Sequence, residues 1–263
     1  MFFAPFVVNS PFVANLNDLV EYCDTRLRLR EMVDFPGACN GLQAANSGRV
    51  TKIGAAVDAG AVPFALAAAA GVNFLIVHHG MFWDGPAPLT GPRRARLKTL
   101  FDADLAVYSA HLPLDAHPQL GNNALLARAL GLRVSGWDIP YQGRPIAAIV
   151  ARPPARAALR TRLDQLFPRG VTALEFGPAR PRRLAVLTGS GGSAVAQLAA
   201  AGIDTLVTGE LKQAAFNTAQ EEGLNLYLCG HYATEVFGVQ ALAAECARRY
   251  RLPWEFLDTG CPL

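Results

Sequence analysis

Apolar positions Leu19, Tyr22, Cys23, Leu27 and Leu29 recur among polar ones at helical spacing and predict a helix over 17–30, capped by Asn15 or Asn17. The glycines and proline of 35–43 then read as loop. Beyond it the pattern changes to continuous apolar runs, which mark strands buried on both faces rather than the half-exposed strands that alternate. Such runs predict strands over 52–57, 74–77, 105–110, 184–187, 205–208, 225–229 and 254–257. Between them fall helices predicted over 61–70, 93–102, 122–130, 194–201, 211–222 and 235–250, several stopped by a glycine such as Gly71, Gly131 or Gly202. The stretch 133–183 is broken by prolines and offers a strand over 146–150, a helix over 155–167 and a strand over 173–176. Strands alternating with helices through short loops define an α/β architecture.

The two ends of the chain resemble each other. Ala68 to His79 aligns without a gap on Ala199 to Glu210, placing Gly71 over Gly202 and His79 over Glu210. The next strand of each half ends in a histidine followed four residues later by a carboxylate, His111 and Asp115 in one, His231 and Glu235 in the other. The alternative is chance likeness between two alanine-rich strand–helix–strand units. Duplication leads to an expected fold of two intertwined α/β lobes with mixed sheets and flanking helices. Lobes are expected over 1–132 and 184–263, with 133–183 as a short intervening segment and the chemistry at the seam.

Composition narrows the class. Of 263 residues, 51% are hydrophobic and 17% charged, which excludes disorder for most of the chain, and the net charge of +3 calls for no nucleic acid. The densest basic cluster, Arg93, Arg94, Arg96 and Lys98, has helical spacing and reads as a solvated face rather than a phosphate track. Polar breaks interrupt every long apolar run, so no membrane span is expected. The apolar start, 1–13, lacks a basic leader and a small-residue cleavage site, and is expected to be an arm packing on the body or on another subunit. Five cysteines without a CxxC fit a reducing, cytoplasmic setting and neither a disulfide framework nor a zinc ribbon.

Open α/β sheets place their sites at the carboxyl ends of strands. Here those ends carry His78, His79, His111, Asp115, Glu210, His231 and Glu235, which takes in four of the five histidines and leaves out His117. Imidazole and carboxylate together suit zinc, iron, manganese, cobalt or nickel, whereas magnesium and calcium prefer an oxygen shell. Glu235 is able to bridge two ions. Singly, each residue has a plainer reading: His231 as a hydrogen-bonded loop residue, Glu235 as a first-turn helix charge, Asp115 as an N-cap. Gly189 to Ser193 reads as a tight turn or an anion cradle, and Phe82 and Trp83 as pocket lining or lid packing. No G-x-S-x-G occurs, so a serine hydrolase is unsupported.

The pieces Asn40–Gly41–Leu42–Gln43, Val57–Asp58–Ala59, His78–His79–Gly80, Ala110–His111–Leu112–Pro113–Leu114–Asp115 with Gly121–Asn122, Thr208–Gly209–Glu210 and Gly230–His231–Tyr232–Ala233–Thr234–Glu235 occur in one order. In this the chain resembles the ring-forming, dinuclear-metal proteins called GTP cyclohydrolase I type 2 homologues, a family also named for interaction with a yeast transcriptional coactivator. The resemblance runs from about Asn15 to Leu257 and is thinnest in the middle. It implies a duplicated α/β fold, a homohexameric toroid and two divalent ions per subunit. By resemblance the ligands are His78, His79, Asp115, His231 and Glu235, with Glu235 shared, and His111 is either a neighbour of the site or a ligand. His111 and Glu210 are the expected proton-moving groups. The family often carries a histidine in the helix after Glu210, where this chain has Gln213 and Asn217. The implied activity is hydrolysis of a nucleotide-like substrate, opening the guanine imidazole ring at C8. The alternative is a non-catalytic ring that binds metal or a cofactor as regulator or chaperone.

Overall fold

The computed structural model describes residues 12–263, so the arm expected over 1–13 lies outside the described residues except for Phe12 and Val13. In chain order the elements begin with β1 (Ala14–Asn15), α1 (Leu16–Leu27), β2 (Gly41–Ala44), β3 (Arg49–Val50), β4 (Ile53–Asp58), α2 (Ala61–Ala70), β5 (Phe74–His79), α3 (Gly91–Asp102), β6 (Ala106–Ser109) and α4 (Leu112–Asp115). They continue with α5 (Asn122–Ala129), β7 (Gly136–Tyr141), β8 (Arg144–Val150), α6 (Arg156–Leu166), β9 (Thr172–Glu175), β10 (Leu184–Ser190) and α7 (Gly192–Leu198). The last are β11 (Thr205–Glu210), α8 (Ala214–Glu221), β12 (Asn225–Leu228), α9 (His231–Tyr250) and β13 (Trp254–Phe256). The chain forms two compact units, one running to Leu114 and taking up Gly238–Gly260, the other Asp115–Phe237 with Cys261–Leu263.

In the first unit a five-stranded sheet has the order β13-β4-β5-β6-β2. Neighbours are parallel except β2, which runs antiparallel to β6 at one edge. The apolar runs of β4 and β5 are buried as their unbroken pattern requires, and α2 covers them with Phe64 and Ala67. Ala56, Val72, Leu75, Val77, Leu100, Leu105 and Val107 complete that core. The Asn15 side chain caps α1 by accepting from the amides of Asn17 and Asp18, and Arg28, in the left-handed region, ends the helix. Its buried face carries Leu16, Leu19, Cys23 and Leu27, while Tyr22 and Arg26 both donate to Glu245 of α9.

In the second unit a six-stranded sheet has the order β7-β8-β10-β11-β12-β9. Its centre, β10-β11-β12, is parallel, and both flanks are antiparallel. Leu126, Ala127 and Leu130 from α5, Leu159 and Leu163 from α6, and Val186, Val207 and Tyr227 from the strands share one core. Each unit therefore has three parallel strands followed by an antiparallel strand that precedes them in the chain: β4-β5-β6 with β2, and β10-β11-β12 with β9.

Several elements differ from expectation. Strands β1 and β3 lie where none was expected. Part of the loop over 35–43 is β2, a short strand recruited by the edge of β6. Strand β7, unexpected beside its proline, forms a hairpin with β8 through Gln142 and Gly143, both at positive φ as a tight hairpin turn requires. Leu112–Asp115 is helical, and α9 starts at His231 rather than at residue 235. Residues 122–130 lie in the second unit, where the apolar face of α5 packs in the core. Residues 133–183 supply that unit's outer strands and α6, and Gly238–Gly260 belongs to the first unit through β13, paired with β4. The α/β class with mixed sheets and flanking helices stands.

Candidate metal centre

In the first unit β5 stays extended to its last residue, so His78 and His79 both lie on strand. His78 is fully buried and donates from Nδ1 to the Ala110 carbonyl at 2.9 Å. His79 faces Asp58 across the β4–β5 register and donates from Nδ1 to its Oδ1 at 2.8 Å. His111, just after β6, donates from Nδ1 to Asp34 Oδ1 at 2.8 Å. A neutral imidazole that donates at Nδ1 carries its lone pair at Nε2. The three rings meet with centroids 4.9 to 5.6 Å apart, and one nitrogen from each lies within 4.8 Å of the others.

Asp34 is the hub behind His111. Its Oδ1 also accepts from the Phe35 amide, and its Oδ2 accepts from Asn40 Nδ2 and the Leu112 amide. Asn40 Oδ1 in turn accepts the His111 amide at 2.8 Å. Burial works to raise the Asp34 carboxyl, but the hydrogen bond and charge of His111, with Asn40 and the Phe35 amide, more than offset it and hold it low. Gln43 secures the turn after the double histidine, its Oε1 accepting the Met81 amide and its Nε2 donating to the carbonyls of Ala38 and Cys39. A Cβ at residue 80 would stand 2.1 Å from Gln43 Nε2, so any side chain there would push Gln43 off the turn it secures.

In the second unit Asp115 and Glu235 are buried, with one carboxylate oxygen of each within 4.8 Å of the other. Asp115 Oδ1 accepts from Asn122 Nδ2 at 2.8 Å and from Thr188 Oγ1 at 3.2 Å. Asn123 supports Thr188 by accepting its amide. His231 opens α9, so Glu235 lies one turn on along the same face. His231 donates from Nδ1 to Glu210 Oε1 at 3.0 Å, and its Nε2 lies 3.2 Å from Glu235 Oε2. Burial lowers the pKa of His231, but Glu235 and then Glu210 outweigh it and raise the imidazole to about 9. Gly189, at φ +63°, lets β10 pass against this pair, because a Cβ would come within 2.1 Å of Glu235 Oε1.

The fifth histidine is built differently. His117 Nδ1 accepts from the amides of Gln119 and Leu120, so it closes a turn and carries its proton on Nε2. Four histidines thus donate from Nδ1 to an oxygen, three of these a carboxylate, which is the arrangement that fixes metal-binding imidazoles. The donor set of imidazole nitrogen and carboxylate oxygen fits divalent transition metals.

Of the residues expected from the sequence, the first unit brings together His78, His79 and His111, and the second brings together Asp115, His231, Glu235 and Glu210. Glu210 holds Nδ1 of His231. Sequence reading missed the orienting carboxylates Asp34 and Asp58 and the Asn123–Thr188 support. Asp58 had a signal, as the polar end of a strand beside β5, and Asp34 had none. Gly189 to Ser193 contributes backbone: the Gly189 amide donates to Thr234 Oγ1, and α7 starts at Gly192.

A mixed α/β fold with such histidine and carboxylate clusters defines a metal-binding class of protein. A family model described as Duf34/NIF3 (NGG1p interacting factor 3) matches residues 14–259, and the chain belongs to that family. A GTP cyclohydrolase 1 type 2 homolog of Deinococcus radiodurans is 40% identical over 245 residues, covering 92% of each chain. The homolog of Escherichia coli K12 is 35% identical over 246 residues, covering 93% of this chain and 98% of its own. Among solved structures, TTHA1606 from Thermus thermophilus is 40% identical, with a TM-score of 0.84, and covers 95% of this chain and 100% of its own. Reduced HcgD from Methanocaldococcus jannaschii is 25% identical, with a TM-score of 0.81, over 94% and 98%. Among the described residues no helix is long and apolar enough to cross a membrane.

Proposed function

We propose that the chain holds two divalent metal ions through His78, His79, Asp115, His231 and Glu235, with Glu235 shared, and hydrolyses a nucleotide-like substrate. The carrying observation is the orientation of the histidines: four present Nε2 with Nδ1 tied to an oxygen, while His117 takes the opposite role. The names of the curated relatives support the substrate class. Bound divalent ions supply Lewis acidity and an acidified water at neutral pH. Asp58 and Asp34 keep His79 and His111 in the tautomer with the lone pair on Nε2, Glu210 fixes the ring of His231 through Nδ1, and Asn122 with Thr188 aims Asp115. His111, with Asp34 behind Nδ1, and Glu210, more than half exposed, are the groups assigned to move a proton.

Three parallel strands closed by an earlier antiparallel strand, seen in each unit, support an internal duplication. A homohexamer in the cytoplasm is part of the proposal. The rival is a non-catalytic ring that binds metal or a cofactor as regulator or chaperone.

Elemental analysis after reconstitution with manganese, iron, cobalt, nickel or zinc is expected to give two ions per chain, fewer in Glu235→Ala. GTP and phosphoester assays of the loaded forms then separate enzyme from binder. Turnover lost in Glu235→Ala with the oligomer intact supports the enzyme, and ligand binding without turnover supports the rival. No metal uptake in any form overturns both. Light scattering showing a monomer near 28 kDa overturns the ring.

A further inference from the structure

Two aromatic side chains beside the histidine cluster of the first unit remain partly exposed, Phe35 at 43% and Trp83 at 37%, and Phe82, next to Trp83 in the chain, is 45% exposed. Trp83 meets His111 edge to face at 4.9 Å and His79 at 5.9 Å, and Phe35 lies 6.2 Å from Trp83 and 5.8 Å from His111. The rings stand on a fixed base. Gln43 ties the Ala38 and Cys39 carbonyls to the Met81 amide, joining the segment that carries Phe35 to the one that carries Phe82 and Trp83. The Phe35 amide is anchored on Asp34, the carboxylate that also orients His111.

Leaving Phe35 and Trp83 more than a third exposed forgoes part of their burial, so an occupant that covers them gains apolar contact. The patch is small against the roughly 800 Å² per partner of a stable protein interface. It is made of flat rings, and it directly adjoins His111, whose Nδ1 is tied to Asp34 and whose Nε2 is not assigned to an ion. A flat ligand with polar edge atoms suits both features: its face stacks on the aromatics and its edge reaches His111.

We propose that Phe35 and Trp83 form a stacking platform for a fused nitrogen heterocycle of the purine type, with Trp83 as the main face. This rests on the metal-site reading and adds to it the part of the site that holds the ring. Trp83 sets affinity by contact and takes no part in proton transfer.

The test is calorimetric titration of the metal-reconstituted full chain with guanosine and, separately, with ribose. Guanosine is expected to bind wild type, to bind about tenfold more weakly to Trp83→Leu, and to be retained by Trp83→Phe. Ribose is expected to bind none of them, with metal content and oligomer mass alike in all three. Equal guanosine affinity in wild type and Trp83→Leu overturns the platform, as does no guanosine binding by the metal-loaded wild type. A change of oligomer mass in Trp83→Leu overturns it too, marking the patch as a subunit contact. Guanosine bound by a wild type that takes up no metal leaves the platform standing and sinks the metal reading, so the two failures are distinguishable.

Discussion

Replacing Gly189 with alanine probes the His231–Glu235 pair of the second unit without removing any donor. The residue sits at φ +63°, where an L side chain costs about 1–2 kcal/mol. Its new Cβ would stand 2.1 Å from Glu235 Oε1, 3.1 Å from Glu235 Cδ and 3.1 Å from His231 Nε2. An ordinary contact needs about 3.5 Å, so the carboxylate must recede by more than about 1 Å. Glu235 is buried on α9, and moving it draws it from His231, 3.2 Å away, at the cost of a buried charge-assisted contact. Together these amount to about 2–4 kcal/mol, a fall in melting temperature of roughly 5–10 °C. Metal affinity should drop by about 10- to 100-fold, as when the support of a ligand is disturbed. Gly192→Ala is the control: nothing lies closer than Ser190 Oγ at 4.0 Å, and alanine suits the first turn of α7. Melting curves and elemental analysis of both variants read the outcome. Wild-type stability and full metal content in Gly189→Ala would refute the close approach of β10 to Glu235.

Other substitutions separate orienting groups from bystanders. Asp34→Asn should lose about 1–3 kcal/mol of stability, from the hub that holds His111, Asn40 and two amides, and weaken metal uptake; calorimetry and metal titration check both. His117→Ala should leave metal content unchanged while costing about 1–2 kcal/mol, because two amides lose their acceptor; reduced metal content would return His117 to the ligand list. Burial raises the Glu245 carboxyl, but Arg26 and Tyr22 outweigh it and hold it below the usual glutamate range. A lowered folded pKa means stability present above about pH 4.3 and lost as pH falls through the folded value, so Glu245→Gln should flatten the acid limb of a stability–pH profile. An unchanged acid limb would show that this pair contributes nothing there.

The strands of both parallel cores were legible because a strand buried on both faces must be apolar at every position, as in Phe74 to Val77 and Leu184 to Leu187. The glycine stops were legible for a local reason too: Gly71 and Gly202 adopt the left-handed conformation that ends a helix. The histidines and carboxylates that collect at strand ends were likewise readable, since a polar residue after an apolar run marks where the sheet opens. Strand β2 was not readable, because its four residues have no pattern of their own and become strand only when β6 offers a partner. Nor were the unit boundaries: α5 and Gly238–Gly260 are assigned by what they pack or pair against, and contact between distant segments leaves no mark on either one. The same holds for Asp34, seventy-seven residues from His111. Local pattern records whether a residue is buried and which way its backbone turns. Which carboxylate meets which imidazole, and so which nitrogen carries the lone pair, is set by long-range folding alone.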